Sequence, residues 1–88
     1  MDDKEKRIAE LEDRNSELAK EILLNESAVY EAETEIENLD TDLIGHPRIQ
    51  QYVNQLNLLV KRLKTKNNRY KKEIFQNELE IKKLKEDE

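Results

Sequence analysis

Residues 8–43 read IAELEDRNSELAKEILLNESAVYEAETEIENLDTDL and carry one seven-residue repeat without a slip. Nine of the eleven a and d positions of this repeat are apolar, and charged residues fill most of the positions between them. This periodicity is typical of a coiled-coil helix rather than of a strand. The a and d positions are Ile8, Leu11, Asn15, Leu18, Ile22, Asn25, Val29, Ala32, Ile36, Leu39 and Leu43.

The second half of the chain has a heptad repeat of its own, in a different frame. Gly45, His46 and Pro47 separate the two frames, and this chain has only one Gly and one Pro. Gly45 suits the left-handed residue that follows a helix end, and Pro47 suits the first turn of a helix. We therefore predict two helices, over about 3–44 and 48–86, joined by a turn at 45–47. The second set of a and d positions is Ile49, Val53, Leu56, Val60, Leu63, Asn67, Tyr70, Ile74, Asn77, Ile81 and Leu84.

Folding the chain at this turn pairs residues whose numbers add up to 92, and every a position then faces a d position. In this register Asn15 faces Asn77 and Asn25 faces Asn67. An asparagine that faced leucine would bury an unpaired amide at a cost of about 1–3 kcal/mol, so the four asparagines are predicted to set the register. A parallel dimer is the alternative, because branched residues at a with leucine at d favour it.

Charge favours the hairpin over that dimer. Residues 1–45 carry 15 acidic and 5 basic side chains, and residues 46–88 carry 6 acidic and 11 basic ones. Halves of opposite sign attract each other when the chain folds back on itself. The predicted fold class is all-α: two long helices in an antiparallel coiled-coil hairpin, which associates into a four-helix assembly.

Apolar residues outside the a and d positions are the candidate interface. A two-helix hairpin buries only its seam, so these residues either pack on a second surface or are scattered exposed side chains. The candidates on one flank are Ala19, Leu23, Tyr30 and Phe75, and those on the other are Leu24, Ala28, Tyr52 and Leu59.

The composition argues against catalysis and ligand chemistry. The chain has no Cys, one His and one Gly, so it lacks thiolate ligands, a second imidazole and a glycine-rich phosphate loop. We expect no enzymatic activity, cofactor or metal site. The polar start MDDKEKR and the lack of a long apolar run predict a cytoplasmic protein with no membrane contact. The basic stretch 61–72 invites nucleic acid, but the net charge of −5 repels phosphate, and we expect none.

The expected function is that of a non-enzymatic interaction protein: an assembly factor, scaffold, chaperone or inhibitor that binds a protein partner, itself, or both. Asp40 and Asp42 suggest an alternative, because they lie within one turn of the bend at the tip of the finger. This arrangement resembles the acidic coiled-coil finger of the Gre-type transcript-cleavage factors. The resemblance implies a regulator that inserts its tip into a large enzyme such as RNA polymerase.

Overall fold

The computed structural model of the chain describes residues 2–39 and 45–86, and these form two α-helices. Helix α1 spans Asp3–Glu37 and helix α2 spans Pro47–Glu86. They pack antiparallel along their lengths in a rod of 65 × 14 × 14 Å. The predicted all-α hairpin is thus confirmed.

Helix α1 begins with a side-chain cap. The Asp2 carboxylate accepts a hydrogen bond from the Glu5 backbone N–H at 2.8 Å, which satisfies one of the free donors of the first turn. Asp3 and Glu5 place negative charge at the positive end of the helix dipole. The acidic start of the sequence therefore stabilises the helix end that it occupies.

The end of α1 differs from the sequence prediction. The helix ends at Glu37, whereas we predicted about residue 44; residues 40–44 lie outside the described part of the chain. The backbone N–H of Asn38 donates to Thr34 O at 3.0 Å, and that of Leu39 donates to Ile36 O at 3.3 Å. The sequence after Glu37 is Asn-Leu-Asp-Thr-Asp, whose short polar side chains compete with the helical backbone.

Gly45 does not occupy the position after the end of α1 where we expected it, because Asn38 follows the last helical residue. Helix α2 then begins at Pro47, a position where the missing N–H of proline costs nothing. Just before it, Nδ1 of His46 accepts a hydrogen bond from the Arg48 backbone N–H at 3.3 Å. His46 therefore acts as a helix cap.

The core is a narrow seam along the rod. Every described a and d residue of both repeats is buried or half-buried. Leu43 lies outside the described residues. The most buried members of the seam are Leu11, Leu18, Ile22, Ala32, Val60 and Asn67, and Leu18 is only 1% exposed. Burial of apolar area along this seam is the main force that holds the helices together.

Candidate interaction surfaces

Two asparagine pairs cross the seam. Asn25 Nδ2 donates to Asn67 Oδ1 at 2.9 Å, and Asn77 Nδ2 donates to Asn15 Oδ1 at 2.9 Å. Asn67 is only 5% exposed and also donates from its Nδ2 to Ile22 O at 3.2 Å. The predicted partners thus meet; that they select the register over others stays a prediction.

One side of the seam, which we call the arginine flank, carries two bidentate ion pairs. Arg7 Nε lies 2.7 Å from Glu80 Oε2, and Arg14 Nε lies 2.7 Å from Glu73 Oε2. Each arginine also donates a second, longer hydrogen bond to the same carboxylate. Because these pairs join the far ends of the sequence, they tie the open end of the hairpin together.

The opposite side, the lysine flank, carries two looser pairs. Lys64 Nζ lies 3.1 Å from Glu33 Oε1, and Lys71 Nζ lies 3.8 Å from Glu26 Oε1. All four side chains are about half exposed. Exposed pairs of this kind contribute only ~0.2–1 kcal/mol each, so their role is to favour this topology rather than to supply the stability.

The arginine pairs perturb the titration of both carboxylates. The hydrogen bond from Arg14 lowers the pKa of Glu73 below its usual 4.5, helped by the positive charge and opposed by partial desolvation. The hydrogen bond from Arg7 lowers the pKa of Glu80 in the same way. These pairs therefore stabilise the fold fully above the usual glutamate pKa, and this contribution is lost as the pH falls through the lowered values.

We expect Arg7→Gln/Arg14→Gln to make the stability of the hairpin less sensitive to acid. As the pH falls below the usual glutamate pKa and through the lowered values, the native chain loses the contribution of both ion pairs, whereas the variant has none to lose. Thermal unfolding followed by circular dichroism measures the difference. The matched control is Lys20→Gln/Lys72→Gln, which removes the same charge where the described residues show no ion pair. An identical pH dependence in both variants would contradict the prediction.

The arginine flank changes character toward the turn. Two heptads from the Arg14–Glu73 pair, the same register places Ala28 opposite Leu59. We call this apolar pair, which interrupts a series of charged pairs along the flank, the Ala28–Leu59 step. One heptad further, the Tyr52 hydroxyl donates a hydrogen bond to the Glu35 carboxylate. That bond raises the pKa of Tyr52 above its usual 10.0, with smaller contributions from desolvation and the negative charge of Glu35. Tyr52 thus serves the hairpin itself, although it was predicted only as an interface residue.

The remaining apolar candidates are exposed, except for Ala28. Leu23, Tyr30 and Phe75 on the lysine flank are between 61% and 71% exposed, and Ala19 beside them is exposed as well. On the arginine flank Leu24 is 65% exposed, Leu59 is also exposed, and Ala28 is half-buried. None of these residues is needed for the seam.

A groove of about 500 Å³ on α2 extends the arginine flank. Leucines and cations line it together with Thr65, a combination that the heptad positions alone did not single out. The residues that line this groove include Leu58, Leu59, Leu63, Arg62, Lys66 and Arg69.

Asp40 and Asp42, which form the predicted acidic tip, lie outside the described residues. Within residues 2–39 and 45–86, no three His, Cys, Asp or Glu side chains come together in a group that could hold a metal ion. No described helix is long and apolar enough to cross a membrane. The surfaces that the structure does define are therefore the two flanks of the rod.

Arg62 and Glu31 are residues that the sequence analysis did not select. Each occupies a c position on the outer edge of the arginine flank. In the described part of the chain, neither has an oppositely charged group within 4.0 Å. The heptad frame already places both residues at c positions. Their lack of an ion pair can be recognised only once the pairs that cross the seam are known.

Comparison of the chain with protein-family models, with curated proteins and with solved structures gives no match.

Proposed function

We propose that this chain is a non-enzymatic interaction protein of the cytoplasm, a scaffold, assembly factor, chaperone or inhibitor that binds its partners through the flanks of a rigid rod. The observation that carries the proposal is the exposure of Leu23, Tyr30 and Phe75, which the hairpin does not use. Large apolar side chains grouped on one surface are typical of protein-binding sites.

The electrostatics support an interaction surface better than a catalytic one. The described side chains with displaced pKa values are Arg7, Arg14, Tyr52, Glu73 and Glu80, and each is explained by an interhelical pair on an exposed surface. Catalytic groups are expected to converge on a cavity that excludes water. These pairs instead hold the two helices together.

The test is site-specific photo-crosslinking in cells that produce the protein. A photoreactive phenylalanine analogue in place of Leu23 or Phe75 should yield discrete crosslinked species. The same analogue in place of Ser27, an exposed residue on the outer face of α1, should not. Equal crosslinking from all three positions, or from none, would contradict the proposal.

The same experiment separates the flanks from the predicted acidic tip. Asp40→Ala/Asp42→Ala should leave crosslinking from Leu23 unchanged if the flank is the binding surface. Loss of the crosslinked species in this variant would favour the alternative, a regulator that inserts its tip into a large enzyme.

A further inference from the structure

The arginine flank has an unexplained apolar centre between two charged edges. Ala28 lies opposite Leu59 in a column that also carries the Arg7–Glu80 and Arg14–Glu73 ion pairs and the Tyr52–Glu35 hydrogen bond. The hairpin gains little from this step, since Leu59 is 43% exposed. A partner that covered it would bury Leu59 together with the exposed Leu24.

The two edges of this flank have opposite charge. The outer row of α1 includes Glu10, Glu17, Leu24 and Glu31, whereas the outer row of α2 includes Arg62, Arg69 and Lys83. All of these side chains are exposed. A partner must therefore present a basic edge to α1 and an acidic edge to α2.

A second copy of the same chain meets this requirement. We infer that two hairpins dock through their arginine flanks about a two-fold axis parallel to the rods. This inference rests on the proposed interaction function and names the partner of one of its two flanks. The axis places α1 of each copy over α2 of the other, so acidic rows face basic rows.

The register follows from the symmetry. Rotation about an axis parallel to the rod leaves each residue at its own height, so Glu31 of one copy lies nearly level with Arg62 of the partner subunit. Glu10 lies nearly level with Lys83 of the partner subunit, by the same rule. The two Ala28–Leu59 steps meet at the axis. A two-fold axis perpendicular to the rods would instead place glutamate rows on glutamate rows, and it is disfavoured.

The available area is sufficient for such a contact. One face of a rod of 65 × 14 Å offers about 900 Å², against ~800 Å² per partner in a typical stable interface. The ion pairs toward the open end keep that part of the interface polar. We therefore expect a dimer of moderate affinity whose apolar contact is concentrated around Ala28 and Leu59.

Sedimentation equilibrium of the full chain tests the contact. Leu59→Glu should weaken dimerisation at least tenfold, because it places charge at the centre of the interface. Leu79→Glu is the matched control: Leu79 lies on the outer face of the same helix and is 50% exposed, and its substitution should leave the dimer intact. A native chain that stays monomeric at millimolar concentration overturns the inference, and so does equal weakening by both substitutions.

A charge swap tests the symmetry. Glu31→Arg and Arg62→Glu should each weaken the homodimer about tenfold, since each places two like-charged pairs at the interface. An equimolar mixture of the two variants should recover native affinity, because both intersubunit pairs are then attractive. A mixture that associates no better than either variant alone overturns the parallel axis. If the chain is monomeric but still crosslinks to a partner through Leu23, the inference fails and the proposed function stands.

Discussion

Leu18→Ala should cost the hairpin about 2–5 kcal/mol of unfolding free energy. Leu18 is 1% exposed and is the most completely buried large side chain described. Its truncation removes buried apolar area and leaves a cavity in the seam. Each layer of the seam has only one residue from each helix, so few neighbours can collapse to fill the cavity. Since a hairpin of this size has little stability in reserve, we expect most of the chain to be unfolded at 37 °C or to melt far below the native chain.

Leu24→Ala is the matched control for this prediction. It makes the same substitution on the same helix at a side chain that is 65% exposed. At protein concentrations too low for association, it should change the unfolding free energy by less than about 0.5 kcal/mol. Urea unfolding followed by circular dichroism measures both. Similar losses for the two variants would mean that the seam does not run where the structure places it.

The seam was predictable because it depends on a single periodic property of the sequence, the recurrence of apolar residues. A repeat of seven with apolar a and d positions fixes which side chains are buried, and two asparagines in each half leave one register in which amide meets amide. The observed Asn25–Asn67 and Asn15–Asn77 hydrogen bonds follow this register. The flanking pairs Arg7–Glu80 and Arg14–Glu73 were also predictable, since neighbouring columns inherit the register of the seam.

The end of α1 was not predictable in the same way. The heptad pattern continues through Leu39 and Leu43, but the helix ends at Glu37. Periodicity records which face of a segment is apolar, whereas a helix end depends on local competition between side chains and backbone around Asn38. The Tyr52–Glu35 hydrogen bond was missed for a related reason, because it depends on the conformation of a single side chain.

The two proposals assign different partners to the two flanks. The arginine flank combines opposite charged edges with a small apolar centre, which suits a second copy of the chain. The lysine flank carries the exposed large side chains Leu23, Tyr30 and Phe75, and its ion pairs are longer. A dimer formed through the arginine flank would leave both lysine flanks outward, and the assembly would present two equivalent binding surfaces.

Asn25→Leu should destabilise the hairpin by about 1–3 kcal/mol, because it removes the donor that satisfies Oδ1 of the buried Asn67. Asn67→Leu should cost less, since the half-buried Asn25 can turn toward water. This asymmetry between the two halves of one pair is expected from their different burial.

The double variant Asn25→Leu/Asn67→Leu separates specificity from stability. Two facing leucines leave no amide unpaired and bury more apolar area, so the double variant should be at least as stable as the native chain in urea unfolding.

Losing one of the two polar layers should also relax the register, because Asn15–Asn77 is then the only amide pair left to select it. A disulfide between cysteines introduced at Ile8 and Leu84 should then form less completely than in the native background, because shifted pairings separate the two positions. A double variant no more stable than Asn25→Leu would show that the two asparagines are not energetically coupled. Undiminished disulfide formation would show that the register is held by the apolar layers and not by the amides.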